Sequence, residues 1–309
     1  MEGDAVKQVK VRPGMTVGEL VRELEASGAF NGGSLAKAAR ITEEMLRDGK
    51  ATTFVGLAGA MVPSGMGGIV SDLIERGYVD VLVSTGANLV HDIVEAIGCT
   101  HHHGSAECSD IDLRRQGINR IYDVYVADEA FTRFEDFVQG VFGGLADGTV
   151  ISTTELLALV GRQLPSGILA TAARKGVPVY CPAVQDSVFG LQFSLFTQTH
   201  RVVLDAFRDM KAFLDLCYQA ERAGALIIGG GVPKNFIFQG MLLAPHGFTW
   251  AVQLTGDRPD LGGLSGATLD EARSWGKLTA EAQGVTVYGD ATITLPVLAA
   301  AVLERLSRG

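Results

Sequence analysis

Short β-branched runs recur along most of the chain, and each ends in small or polar residues before a stretch with helical spacing. The runs are TTFVGLAG, VDVLVST, RIYDVYVA, VPVYCPA, ALIIGG, FTWAVQLT and VTVYG. Strands alternating with helices build βαβ units, which confine a chain to a parallel sheet with helices on its faces. The expected fold class is α/β, a doubly wound, mostly parallel Rossmann-like sheet. Several helix ends are legible too. Ser152 with Glu155, and Thr268 with Glu271, have capping-box spacing, while Gly77, Gly98 and Gly176 stand where a left-handed residue closes a helix. Up to Lys50 the rhythm is different. Thr16 reads as an N-cap, Leu20, Val21 and Leu24 share a helix face that ends near Gly28, and a second helix runs through LAKAARITEEML. This predicts a small helical N-terminal arm over 1–50 and one Rossmann-like domain over 51–309.

The segments that follow the runs carry the functional signal. They are GLAGAMVPSG, STGAN, AVQDS, GGGVPKN, LTGD and YGDAT. In open parallel sheets the ligand crevice lies outside the carboxyl ends of the strands, and glycine there lets backbone amides approach a phosphate. Turn chemistry explains any one such segment; six in succession favour a nucleotide-sized site. Neither G-x-G-x-x-G nor a P-loop is present, so a standard dinucleotide fingerprint is lacking. GGGVPKN is the nearest approach to a phosphate cradle, and its Lys234 either touches phosphate at a helix head or is solvated.

Charge and cysteine usage narrow the partners. The 309 residues include 26 basic and 35 acidic side chains, a net charge of -9, which argues against a general grip on nucleic acid. Cys99, Cys108, Cys181 and Cys217 form no C-x-x-C pair, which fits a reducing cytoplasm; Cys181 reads as a small core residue. No apolar run approaches the roughly 18 residues of a membrane span, and no signal peptide is read at the N-terminus. Small molecules and protein surfaces remain as partners. His101, His102 and His103 are consecutive, but adjacent side chains diverge and no second ligand pair has zinc spacing, so no metal is expected.

In SGATLDEARSWGKLTAEAQGVTVYGDAT, Glu271 and Trp275 are four residues apart and share a helix face, with Lys277 just beyond. A carboxylate beside an indole suits an organic cation. Spacing alone equally allows Glu271 to serve only Thr268, and Lys277 to sit at a helix end because the macrodipole favours a cation there.

GGGVPKN, SGATLDEARSWGK and VYGDA, together with CPAVQD, GINRIYDVYVADEAFTRFEDFV and VDVLVSTGAN, resemble deoxyhypusine synthase in this order and separation, from about Thr52 onward. The branch they look most like is the bacterial one, deoxyhypusine synthase-like and homospermidine synthase-like. The resemblance implies an NAD-binding catalytic domain in a cytoplasmic homotetramer, with active sites at a dimer interface. It also implies an aminobutyl-type transfer: NAD takes hydride from an amine, the resulting imine passes to Lys277, an acceptor amine captures the fragment, and re-reduction completes the reaction. Lys277 must be deprotonated to attack. The catalytic positions are Lys277 and Asn235, and Glu271, Trp275 and His91 are on the substrate side. Thr85, Gly86, Asp186, Gly230, Gly231, Gly289, Asp290 and Ala291 match cofactor positions, Asp290 suiting ribose hydroxyls and hence NAD over NADP.

The departures from the family pattern concern charge. Asn235 replaces the histidine of GGGVxKH, Val90 and His91 replace an acidic pair, and Leu191 and Leu264 replace acidic residues. Burying an ammonium without a partner is costly. The expected donor is therefore less charged than spermidine or differently shaped, with His91 and Asn235 supplying hydrogen bonds. Alternative readings are a homospermidine synthase using putrescine and a catalytically idle NAD-binding scaffold. A protein acceptor is the least expected variant, because the resemblance points to bacteria.

Overall fold

The computed structural model describes residues 4–308. Along the chain run α1 (Val17–Ser27), α2 (Phe30–Arg47), β1 (Ala51–Leu57), α3 (Gly67–Glu75), β2 (Val81–Ser84), α4 (Gly86–Ala96), β3 (His102–His103), α5 (Asp110–Arg115), β4 (Ile118–Ile121), β5 (Val124–Ala127), α6 (Asp128–Phe142), β6 (Val150–Ile151), α7 (Thr153–Gly161) and α8 (Gly167–Lys175). There follow β7 (Val179–Tyr180), α9 (Val188–Phe196), β8 (Val203–Leu204), α10 (Ala206–Gln219), β9 (Arg222–Ile228), α11 (Gly231–Gly240), β10 (Phe248–Thr255), α12 (Leu269–Ser274), β11 (Leu278–Tyr288) and α13 (Ala291–Ser307). The class is α/β and the long strands pair in parallel, as the alternating pattern requires. The chain forms two compact units, one of Met1–Leu57 with Phe213–Gly309 and one of Ala58–Ala212.

In the first unit the strands lie in the order β11, β10, β9, β1. The register sets Ile228 beside Leu254 and Thr255 beside Tyr288, so three strands leave the sheet at one edge. β1 and β9 are buried on both faces, which explains their unbroken apolar runs. Phe54 is fully buried and meets Phe213 and Phe248 edge to face at 5.8 and 5.6 Å. α1 begins at the expected N-cap Thr16, where Glu19 completes a capping box that was not expected, and ends on left-handed Gly28. Its first turn is fastened to α13, where the Glu304 carboxylate accepts from Thr16 Oγ1 and from the Gly18 amide at 3.1 and 3.0 Å. α2 packs on α13 and over β10 and β11.

The second unit holds β2 and β7 as a parallel pair, with Leu82 opposite Val179. β7 is short because Pro178 and Pro182 flank it and neither can donate to a ladder. One expected parallel strand is corrected here. RIYDVYVA is an antiparallel hairpin of β4 and β5, with Tyr122 at φ 55° in the turn and β3 added beside β5. Two short runs around Tyr122 and Asp123 read as one because no glycine or proline marks the turn.

Two helix starts in this unit, those of α7 and α8, take bonds from distant parts of the chain. α7 has its capping box, and Asp209 also accepts from the amides of Thr153 and Thr154 at 2.9 and 3.0 Å. At α8 the Ser166 side chain makes no cap bond, and Asp92 of α4 accepts from Ile168 and Leu169 at 2.7 and 2.9 Å instead. Burial raises the Asp92 carboxyl to about 6, against the pull of those two amides. Among the described residues no helix is long and apolar enough to cross a membrane.

Candidate functional site

The SWGK element acquires its shape from a helix stop. α12 starts on Thr268, whose hydroxyl accepts from the Glu271 amide at 3.0 Å. Among the described residues the Thr268 amide makes no reciprocal bond to the Glu271 carboxylate, so the expected capping box is incomplete and that carboxylate is not engaged by the helix start. The helix closes at Trp275 with Gly276 at φ 72°, a backbone that favours glycine. The Gly276 amide donates to Arg273 O and the Lys277 amide to Ala272 O, the paired bonds of a Schellman motif. Lys277 thus lies just past the helix rather than on it. The Arg273 guanidinium fastens the turn to β11 through the carbonyls of Thr279, Ala280 and Ala282.

This turn faces a cavity of about 190 Å³ within the first unit, whose lining includes Lys277, Trp275, Glu271, Leu264, Asn235 and Lys234. The site residues expected from SWGK and GGGVPKN therefore converge. Lys277 Nζ stands 5.7 Å from the Trp275 ring centroid, within cation–π range. Lys277 is half-buried, and Trp275 is 64 % exposed, so the indole supplies a face but no dry enclosure.

The desolvated amine of this cavity is Lys234, at 5 % exposure. Both readings given to it from sequence, a phosphate contact or a solvated side chain, are replaced by a buried bond network. Its ammonium donates to Gln253 Oε1 at 2.9 Å and to Ala267 O. Gln253 in turn donates to Gly229 O and Ser265 O at 2.9 and 2.7 Å, joining the end of β9 to the 263–267 segment. Burial pushes the Lys234 amine down to about 8; the Glu271 charge opposes this and Lys277 adds to it. Gln253 was not singled out in the sequence, although a buried amide inside the apolar run FTWAVQLT was a signal.

Lys234→Met is expected to lower stability at neutral pH by about 1–3 kcal/mol, because two buried acceptors lose their donor. The sign of the pH effect follows from the lowered amine. Between about 8 and 10.5 the unfolded chain holds this proton more readily than the folded one, so wild-type stability rises with pH across that window. Urea unfolding at pH 7.5 and 9.5 checks both: the variant loses that rise.

The cofactor-position residues fall into two groups. In the first unit, Gly230, Gly231, Gly289, Asp290 and Ala291 follow β9 and β11 at the shared sheet edge. The Gly231 amide is occupied by Ser265 Oγ at 2.9 Å, and exposed Asp290 caps α13 through Thr292 at 2.8 Å. In the second unit, Thr85 caps α4 and Gly86 is buried against the loop that carries exposed Asp186. A Cβ on Gly86 would stand 2.4 Å from Ser187 Cβ, so only glycine permits this approach. The donor set fits a dinucleotide in chemistry: parallel strand ends, glycines and an exposed acidic residue heading a helix.

His91 also lies in the second unit, half-buried on α4, with His101 and Phe131 against its ring. Leu191 is 58 % exposed on α9. Among the described residues no group of three or more His, Cys, Asp or Glu is arranged to hold a metal ion.

A family model described as deoxyhypusine synthase matches residues 19–302. A Methanosarcina mazei protein named probable deoxyhypusine synthase 1 is 56% identical over 98% of this chain and 96% of its own length. An Archaeoglobus fulgidus protein of the same name is 46% identical over 97% of this chain and 98% of its own. Among solved structures, one from Entamoeba histolytica that bears the deoxyhypusine synthase name superposes with a TM-score of 0.66 at 17% identity, over 94% of each chain, a likeness of fold. Both named relatives are archaeal, so the similarity carries the family rather than a bacterial branch.

Proposed function

The chain belongs to the deoxyhypusine synthase family, and we propose that it is an NAD-dependent transferase that passes an aminobutyl-type group through Lys277 to an acceptor lysine. The observation that carries this is the single cavity in which Lys277, Glu271, Trp275 and Lys234 converge. The archaeal relatives and their names turn the acceptor from a small amine toward a lysine side chain.

Each residue has a task in this reading. Lys277 Nζ, as a free amine, attacks the C=N carbon of the oxidised donor; a C=N bond to Lys277 forms as that carbon's bond to the donor nitrogen breaks, and the released nitrogen takes up the two Nζ hydrogens and leaves as an amine. The acceptor amine then displaces Lys277 in the same manner. Lys234, held by Gln253 and Ala267, places a second amine in the cavity beside Lys277. Glu271 is the one carboxylate in the lining among the described residues and pairs with one substrate ammonium. Gly230, Gly231, Gly289, Asp290 and Ala291, at the sheet edge of the first unit, are the residues assigned to NAD. When bound, NAD supplies a hydride acceptor and later a hydride donor. Assembly as a homotetramer with sites at a dimer interface belongs to the same reading and is tested by sedimentation.

Charge in the cavity also bears on the donor. Apolar Leu264 lines it beside a single carboxylate and two lysines, which suits a donor presenting one ammonium there. The test is borohydride trapping after incubation with NAD and an amine series. A stable adduct on Lys277 is expected, stronger with donors of one terminal ammonium than with spermidine. Absence of an adduct with every amine sinks the transferase reading; equal or better trapping with spermidine sinks the donor preference alone.

A further inference from the structure

Lys234 is the buried amine of the cavity, and no step of the transfer uses it. Its nitrogen is held on two sides, by Gln253 Oε1, which accepts from it at 2.9 Å, and by Ala267 O. Both partners accept only. The Gln253 amide nitrogen donates to Gly229 O and Ser265 O at 2.9 and 2.7 Å, so the side chain cannot turn over and offer a donor instead. A lysine nitrogen has four tetrahedral positions. Cε fills one, and the hydrogens bound to Gln253 and Ala267 fill two, whether the group is an ammonium or an amine. The fourth carries the difference, a proton in one state and a lone pair in the other. Among the described residues no third acceptor is bonded there.

We infer that Lys234 is the proton shuttle of this cavity, taking a proton from Lys277 Nζ at its fourth position and handing one to the nitrogen that departs from the donor. The inference rests on the transferase reading, in which the fragment passes from one nitrogen to another. When Lys277 Nζ bonds to the C=N carbon it becomes a secondary ammonium, and the donor nitrogen takes the electron pair of the π bond. Direct passage of a proton between two nitrogens on one carbon needs a strained four-membered ring. Neutral Lys234 instead accepts the proton from Nζ, becomes an ammonium, and protonates the donor nitrogen. A second round moves the other Nζ hydrogen. The donor nitrogen then leaves with the electrons of its bond to carbon, and the Nζ lone pair completes the new C=N bond. Two hydrogens have changed nitrogens, and Lys234 ends as it began.

The other lining groups are less suited to this task. Asn235 has no titratable proton, and Glu271 is the carboxylate that pairs with a substrate ammonium. A shuttle works best when its two states are close in energy at the working pH. Burial, the leading cause, brings the Lys234 amine down to about 8, with the Glu271 charge opposing and Lys277 adding to the shift. Of the elements around it, β1, β10, the rest of α11 and the 263–267 segment carry no charged side chain. From α12, Asp270 and Arg273 pair with each other at 3.2 Å.

The test begins without a cofactor. Butanal forms an imine with Lys277 that borohydride fixes, and loss of water on the way needs the same proton movements. Peptide mapping by mass spectrometry separates this adduct from those on exposed lysines, which serve as the internal reference. Lys234→Arg keeps two donors and the charge but holds its proton at accessible pH. Imine formation at Lys277 is expected to slow on the order of 100-fold in this variant, with the reference lysines unchanged. Lys234→Ala is expected to slow likewise and to recover with added imidazoles in the order of their basicity, which a merely structural lysine would not produce. Full speed in Lys234→Arg, or a recovery indifferent to basicity, overturns the inference. Repeating the comparison with NAD and amine donors separates it from the transferase reading. A wild type that traps butanal through Lys234 yet yields no adduct from any amine overturns that reading and upholds the shuttle. Amine-derived adducts that form equally fast in wild type and Lys234→Arg overturn the shuttle alone.

Discussion

Lys277→Arg is expected to abolish the borohydride-trapped adduct and to lower turnover by on the order of 1,000-fold or more, with the fold and NAD affinity retained. Guanidinium keeps the positive charge and the contact to Trp275, but its nitrogens have no nucleophilic lone pair at accessible pH. The substitution therefore separates the amine's chemistry from its charge. NAD titration by tryptophan fluorescence provides the control, and mass spectrometry after borohydride provides the readout. An adduct that persists at another residue would move the nucleophile elsewhere, with Lys234 the first place to look because it is the buried amine of the same cavity.

Asp92→Ala carries the largest stability effect expected, about 3–5 kcal/mol, since two charge-assisted bonds of roughly 1.5–3 kcal/mol each vanish and two buried amides lose their acceptor. Asp92→Asn should cost less, because an amide oxygen still serves one of the two. The pH dependence has a definite sign. Burial raises the folded carboxyl to about 6 against 3.8, so the folded chain holds this proton more readily than the unfolded one and stability falls as pH rises from about 4 to about 6, while the two bonds to the amides remain. Urea unfolding between pH 4 and 7 should show that slope in the wild type and its absence in Asp92→Ala.

The features legible in the sequence are those whose causes are local. The N-cap Thr16, the capping box of Ser152 and the left-handed Gly28 and Gly176 rest on residues within four positions of one another. The apolar runs that became β1, β9 and β10 declared themselves through burial on both faces. The convergence of Glu271, Trp275 and Lys277 was legible because one short helix and its Schellman stop position all three. Lys234 was misread because its acceptors, Gln253 and Ala267, lie 19 and 33 residues away. The RIYDVYVA hairpin was misread because Tyr122 adopts a left-handed backbone without the glycine or asparagine that advertises one.

The carboxylates that cap α7 and α8 reach across 55 to 77 residues of chain. A helix whose first turn is finished by a remote partner cannot complete itself during early, local structure formation, because a long loop must close first. The opening turn of α8 must then be among the last parts of its unit to consolidate. Deuterium labelling during refolding would follow this as late protection of Ile168 and Leu169, a clock for the arrival of α4.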